Sequence, residues 1–222
     1  MLYDDDGDDC QNRNELLNLI KLCRKEKNVW KTRRIHANAL KQRLIYKDVY
    51  ISTALIATYA TCGVMGDAQE VFEQVPEPNV VTWSALISGY AQNGLGNEAL
   101  HCFRQMQDVG ICPDSVTYIC VLKACGIMRF LEVGQDIDAQ LRRKGLLGKD
   151  IVLGTALMDM YAKCGALDKA REVFEQLPER NVVSWNALIA GYVQHGHGEK
   201  SLKCLRQMQD AGVCPDAVTY VS

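Results

Sequence analysis

Apolar residues recur along the chain at intervals of three and four, and no stretch alternates with period 2. In VVTWSALISGYAQNG, Trp83, Leu86, Ile87 and Tyr90 fall on one face of a helix, and Gly94 follows as a left-handed cap. NEALHCFRQMQDVG then sets Ala99, Leu100, Phe103, Met106 and Gln107 along a second amphipathic helix that Gly110 stops. The pairs TALIATYATCG with DAQEVFEQVPE, and TYICVLKACG with LEVGQDIDAQLRRKG, repeat the scheme. Glycine is expected to close nearly every helix, at Gly63, Gly94, Gly110, Gly126, Gly145, Gly165, Gly196 and Gly212. The predicted fold class is all-α: an α-solenoid, or α-α superhelix, of about twelve helices in six hairpins. One hairpin cannot cover its apolar face alone, whereas stacked hairpins can.

The pattern has a period. Residues 48–120 align with 150–222 without a gap at an offset of 102, with 42 identities in 73 positions. Segments such as AxEVFEQxPE and RQMQD occur twice. The unit divides into blocks of 31, 35 and 36 residues: 48–78, 79–113 and 114–149, then 150–180, 181–215 and a truncated 216–222. Residues 12–47 fit the 36-residue block, with LIKLC matching VLKAC.

Lys plus Arg is 25 against 27 Asp plus Glu, so bulk positive charge is not the means of gripping any nucleic acid. Five aspartates crowd the first eleven residues, and without them the balance is 25 to 22. Residues 1–11 are expected to form an acidic, disordered tail, and no transit peptide is visible in so acidic a segment. No apolar run reaches the ~18 residues of a membrane span. The ten cysteines show no CxxC, and no HxxxH accompanies them, so no metal or cofactor motif is present. Eight of the ten pair at the 102-residue offset, such as Cys23 with Cys125 and Cys112 with Cys214, which fits reduced thiols used as small buried hydrophobes. Trp83 and Trp185, at one repeat position, are expected to pack rather than stack on a base. His195 and His197 flank Gly196 where the earlier copy has NGLG, so a metal site there is not expected.

The blocks resemble the pentatricopeptide repeat family, and specifically its plant P-L-S subclass. NVVTWSALISGYAQNGLGNEALHCFRQMQDVGICPD carries the P type, TALMDMYAKCGALDKAREVFEQLPERN the S type and DSVTYICVLKACGIMRFLEVGQDIDAQLRRKGL the L type. The order is L 12–47, S 48–78, P 79–113, L 114–149, S 150–180, P 181–215 and the opening of a further L at 216–222. The resemblance implies no enzyme but sequence-specific binding of single-stranded RNA, an organellar transcript, in a mitochondrion or plastid. It usually specifies a cytidine for editing, with other editing factors or a deaminase supplied in trans. Neither the C-terminal extension domains of the editing members nor the H-x-E…P-C-x-x-C zinc signature occurs before the stop at Ser222. The missing remainder of the last L repeat is expected to leave the final hairpin uncovered.

Such arrays read one base per repeat with two or three side chains. The resemblance assigns base reading to the fifth residue of a repeat with its last. These are Thr53 with Asn79, Ser84 with Asp114, Thr155 with Asn181, and Asn186 with Asp216. The family's pairing habit gives an expected preference of 5′-N-A-G-N-A-U-3′, with N under each L repeat, where the fifth residues are Leu17 and Ile119. The second residues, Val81, Val116, Val152 and Val183, with Tyr50 in the first S repeat, would wedge between bases; Asn14 departs from the pattern. Changing Asn186 to Thr is expected to move base choice with little effect on stability, as at a surface position.

A different reading of the boundary is available. Asp48, Asn79, Asp114, Asp150, Asn181 and Asp216 each precede a helix, and Asp and Asn are preferred N-caps. Capping does not explain why the fifth residues of S and P repeats are polar. The basic run KLCRKEKNVWKTRR (21–34) is either a solvated helix face or a phosphate contact. A protein-interaction scaffold is the alternative function, favoured by an apolar or Arg-rich groove; polar pairs with Val wedges favour RNA.

Overall fold

The computed structural model describes residues 6–221 and, for side chains, 13–220. It divides into two compact units, 1–113 and 114–222, each treated by itself. The first holds α1 (Asp6–Glu26), α2 (Val29–Lys41), α3 (Leu44–Lys47), α4 (Val49–Thr61), α5 (Met65–Glu73), α6 (Val80–Gln92) and α7 (Gly96–Asp108). The second holds α8 (Ser115–Met128), α9 (Leu131–Arg143), α10 (Ile151–Lys163), α11 (Leu167–Gln176), α12 (Val182–Gln194), α13 (Gly198–Asp210) and α14 (Ala217–Val221). Every regular element among the described residues is a helix, as expected. The six hairpins are α1/α2, α4/α5, α6/α7, α8/α9, α10/α11 and α12/α13. Within each unit the first helices of successive hairpins pack on one another, α1 on α4 on α6 and α8 on α10 on α12.

Helix ends follow from local chemistry. Gly94 at φ 74° closes α6: Leu95 N–H reaches Tyr90 C=O at 2.9 Å and Gly94 N–H reaches Ala91 C=O, a Schellman pair in left-handed backbone. Gly126 does not end its helix as expected. It lies inside α8, which runs to Met128 and ends on Arg129 at φ 55°. The glycine serves packing there, since a Cβ would stand 3.4 Å from Met160 Cα of α10. Two further elements stand outside the hairpin scheme, the four-residue α3 and the short α14. The expected tail over 1–11 is also shortened, because α1 is already helical at Asp6; acidic residue types are favoured at a helix N-terminus, and residues 1–5 lie outside the described part.

Within each unit the core sits between the two helices of a hairpin and the next first helix of that unit. Tyr59, Leu55 and Ile56 of α4, and Tyr161, Leu157 and Met160 of α10, are fully buried. Gly89 and Gly191 let first helices approach closely: a Cβ on Gly89 would meet Ala60 Cβ at 2.8 Å, and one on Gly191 would meet Ala162 Cβ at 2.7 Å. Trp83 and Trp185 are buried as expected. Each meets the Phe of the preceding hairpin edge-on, Phe72 and Phe174, with ring centroids 4.5 Å apart in both copies. Cys23, Cys102, Cys125 and Cys204 are buried, but Cys112 and Cys214 are exposed, so burial does not account for that repeated pair.

Candidate nucleic-acid interface

The start of each first helix has a common build. Its boundary residue is an N-cap whose side-chain oxygen accepts backbone N–H groups. Asn79 Oδ1 accepts from Val81 at 3.0 Å and Thr82 at 3.1 Å; Asp114 Oδ1 accepts from Thr117 at 2.8 Å. Asp150 serves Val152 and Leu153, Asn181 serves Ser184, Asp48 serves Tyr50 and Asp216 serves Thr219. All six boundary residues therefore cap, and the capping reading holds. Capping does not exhaust them. Asn79, Asp114, Asn181 and Asp216 stay exposed, and the amide nitrogen of Asn79 has no partner among the described residues.

One residue into the helix the side chains turn to solvent. Val81, Val116, Val152 and Val183 are 53–64% exposed and Tyr50 is 71% exposed, although each helix buries apolar residues within the next turn. An apolar group left in water at the same place on five helices is not explained by packing.

The fifth residues differ among themselves. Ser84 and Thr155 hydroxyls donate back to Val80 and Ile151 carbonyls at 2.7 Å. Thr53 Oγ1 is buried with no hydrogen-bond partner among the described residues. Asn186 is only 8% exposed and fully engaged: its Nδ2 donates to Asp216 Oδ1 at 2.9 Å and its Oδ1 accepts from Thr219 Oγ1 at 2.6 Å. The expectation of a surface position at 186 is thus corrected, because the first turn of α14 closes over the amide. Asp216 itself is held below the ordinary carboxylate range, chiefly by the Thr219 backbone N–H and then by the Asn186 amide, so it presents an ionised acceptor. Thr219 carried no signal in sequence reading beyond being the third residue past the cap.

The structure brings one set of predicted residues into a single cavity. In the first unit a hollow of about 960 Å³ is lined by Thr53 and Asn79, with Tyr50 and Val81 beside them. Arg13 of α1 also lines it, ion-paired to Asp48 and lying 5.0 Å from the Tyr50 ring centroid. In the second unit Asn186 and Asp216 bond directly, whereas no hydrogen bond joins Thr155 to Asn181 among the described residues. Ser84 and Asp114 fall in different units. Leu17 and Ile119, the L-repeat fifth residues, are apolar and half-buried.

His195 has a structural task. It is hydrogen-bonded through Nε2 to the Ala162 carbonyl at 2.9 Å, and Asn93, its counterpart 102 residues earlier, donates Nδ2 to the Ala60 carbonyl at 2.9 Å. Among the described residues no three His, Cys, Asp or Glu side chains cluster for a metal, and no helix is long and apolar enough to cross a membrane.

Comparison with known proteins places these features in a family. The PPR repeat family model matches residues 78–126 and 180–222, and a PPR repeat model matches 155–182. A putative pentatricopeptide repeat-containing protein of Arabidopsis thaliana is 37% identical over 190 residues, covering 85% of this chain and 38% of the relative. A chloroplastic relative from the same plant is 36% identical, covering 92% of this chain and 33% of the relative; a mitochondrial one is 34% identical, covering 93% and 33%. The chain thus spans about a third of the length of these curated relatives. The crystal structure of the pentatricopeptide repeat protein PPR10 in complex with an 18-nt psaJ RNA element superposes with a TM-score of 0.74 at 20% identity, over 91% of this chain and 30% of that one. The crystal structure of the pentatricopeptide repeat protein PPR10 from maize gives 0.70 at 20% identity, over 92% and 30%. These likenesses establish the α-solenoid fold.

Proposed function

The chain belongs to the pentatricopeptide repeat family, and from that premise we propose that it is an RNA-reading segment of the P-L-S subclass that meets single-stranded RNA one base per repeat. The observation that carries this is the first-unit cavity. A buried hydroxyl with no partner (Thr53) and a cap with an unused amide nitrogen (Asn79) line one hollow with two exposed apolar side chains, Tyr50 and Val81. A base sliding between the apolar pair meets polar atoms at its edge and covers the apolar surface water now touches. The same repeat positions are held by Ser84 with Asp114, Thr155 with Asn181, and Asn186 with Asp216, and the wedge position by Val116, Val152 and Val183.

The proposed preference is 5′-N-A-G-N-A-U-3′. Its role is to bring an organellar transcript to editing or processing, with a deaminase or other editing factors acting in trans. Chloroplastic and mitochondrial relatives support the organelle. The polar pair flanked by exposed apolar side chains favours RNA over a bound peptide.

The test is competition binding with RNAs that differ from 5′-N-A-G-N-A-U-3′ at one base. Adenine is expected to win at the second position and to lose its advantage in Thr53→Val, where hydroxyl becomes methyl at nearly constant shape. Equal affinity for all four bases in the parent protein refutes base reading.

A further inference from the structure

We infer that the first repeat, which lacks a base-reading residue, instead holds the sugar-phosphate backbone through Lys21 and Arg24 of α1. This rests on the RNA reading above and adds to it a phosphate-binding wall.

The charge distribution leads to it. Four cations, Arg13, Lys21, Arg24 and Lys47, line the 960 Å³ cavity, against one carboxylate, Asp48. Asp48 is committed to Arg13. Lys21, Arg24 and Lys47 are exposed and have no ion-pair partner among the described residues. The chain as a whole carries −2, so this is a local excess and not a general one. The basic run that contains the pair is divided by the fold. Lys31 of α2 bonds Glu26 at 2.9 Å and Arg33 bonds Asp67 at 2.8 Å, so two of the three α2 cations in the run are paired within the protein. Lys21 and Arg24, at i and i+3 on one face of α1, are not.

The shape agrees with the charge. A second hollow of about 370 Å³ lies further along α4 and α6, and Arg24 and Ala57 line both hollows. Most residues that α4 and α6 contribute there are small, Ala57, Ala60, Ala85, Ser88 and Gly89, beside Thr61 and a Gln92 whose amide is bonded to Ser88. A floor of small side chains under a cationic wall admits a backbone and offers no base-shaped edge. Leu17, at the fifth position of the same repeat, lines the first hollow with an apolar side chain that cannot read a base. The ligands fitted by this wall are two neighbouring phosphodiester linkages, one of them next to the base held at Thr53 and Asn79.

The experiment compares the parent, Lys21→Gln/Arg24→Gln, and a control, Lys25→Gln/Lys41→Gln, which removes two exposed cations outside the hollow. Affinity for a single-stranded RNA is measured from 50 to 200 mM salt. Each lost phosphate contact lowers the log–log salt slope by about 0.7, so the double variant should lose about 1.4 of slope and its salt-induced weakening should be roughly sevenfold smaller. The ranking of bases opposite Thr53 should not change. In a second arm, one methylphosphonate linkage beside that base should weaken parent binding and leave the double variant unaffected, which separates a strand phosphate from free phosphate or general charge. Equal slope losses in control and double variant, or no loss in either, overturn the inference while RNA binding by the parent stands. Absence of RNA binding by the parent overturns the underlying RNA reading instead.

Discussion

Gly191→Ala tests what sets the spacing of the first helices. The added methyl would stand 2.7 Å from Ala162 Cβ and 3.6 Å from Ala162 Cα. Ordinary carbon contacts lie near 3.5–4.0 Å, so about 1 Å of overlap must be relieved. Ala162 is 1% exposed and has no flexible end to swing away, so α10 and α12 must separate. Overpacking of this kind costs about 1–3 kcal/mol, against a gain of about 1 kcal/mol from replacing a helical glycine with alanine. The net expectation is a loss of up to about 2 kcal/mol, read by urea unfolding, with the melting midpoint falling by roughly 2–4 °C per kcal/mol. Gly134→Ala is the control. Its methyl would meet Met160 Sδ at 2.4 Å, but a thioether end can move, so the loss should be smaller or reversed. Adding Ala162→Gly to Gly191→Ala removes the overlap and should show a coupling of about 0.5 kcal/mol or more in a double-mutant cycle. The reasoning fails if Gly191→Ala is as stable as the parent, or if Gly134→Ala loses as much.

Four further outcomes follow from the same contacts. Asn186→Thr should cost about 1–3 kcal/mol of local stability by hydrogen exchange over α12 and α14, because it strips a buried amide from Asp216 and Thr219; unchanged exchange would contradict the burial argument. His195→Asn should be tolerated because Asn93 does the same task, whereas His195→Ala should lose about 1 kcal/mol in thermal unfolding. Asp67 is held below its ordinary 3.8, first by the hydrogen bond from Arg33, so its stabilisation is present above that value and lost as pH falls from there through its lower folded value; Asp67→Asn should flatten the drop in melting temperature below about pH 4. Maleimide at neutral pH should label exposed Cys112 and Cys214 within minutes and reach Cys102 and Cys125 only on unfolding, since burial pushes those thiols up to about 11 and about 12.

Most of the helix pairs were legible because a 3.6-residue apolar period and an Asp or Asn cap mark each start. Repeat register puts Val81, Val116, Val152 and Val183 at one position, and all four are exposed there; wedging between bases is the proposed use of that exposure. What was hidden depends on convergence. Lys21, Arg24, Lys47 and Asp48 are separated by up to 27 positions and meet only when α1 packs on α4. Asn186 looked like surface because the cover comes from Thr219, 33 residues on. Gly126 looked like a helix stop because glycine serves both left-handed caps and close packing, and only the approach of α10 tells which. His195 looked isolated because its partner is a carbonyl, which every residue has.

The boundary side chains carry an evolutionary consequence. An oxygen on each one already accepts the first free N–H groups of a helix. Any residue that replaces it must still accept those bonds or forfeit about 1 kcal/mol of helix. If that same side chain also chooses a base, its repertoire is limited to the few short side chains that cap well, chiefly Asp, Asn, Ser and Thr. New specificities at this position would then arise by exchanging one capping residue for another, and a change to a long or apolar residue would damage the repeat before it altered the target.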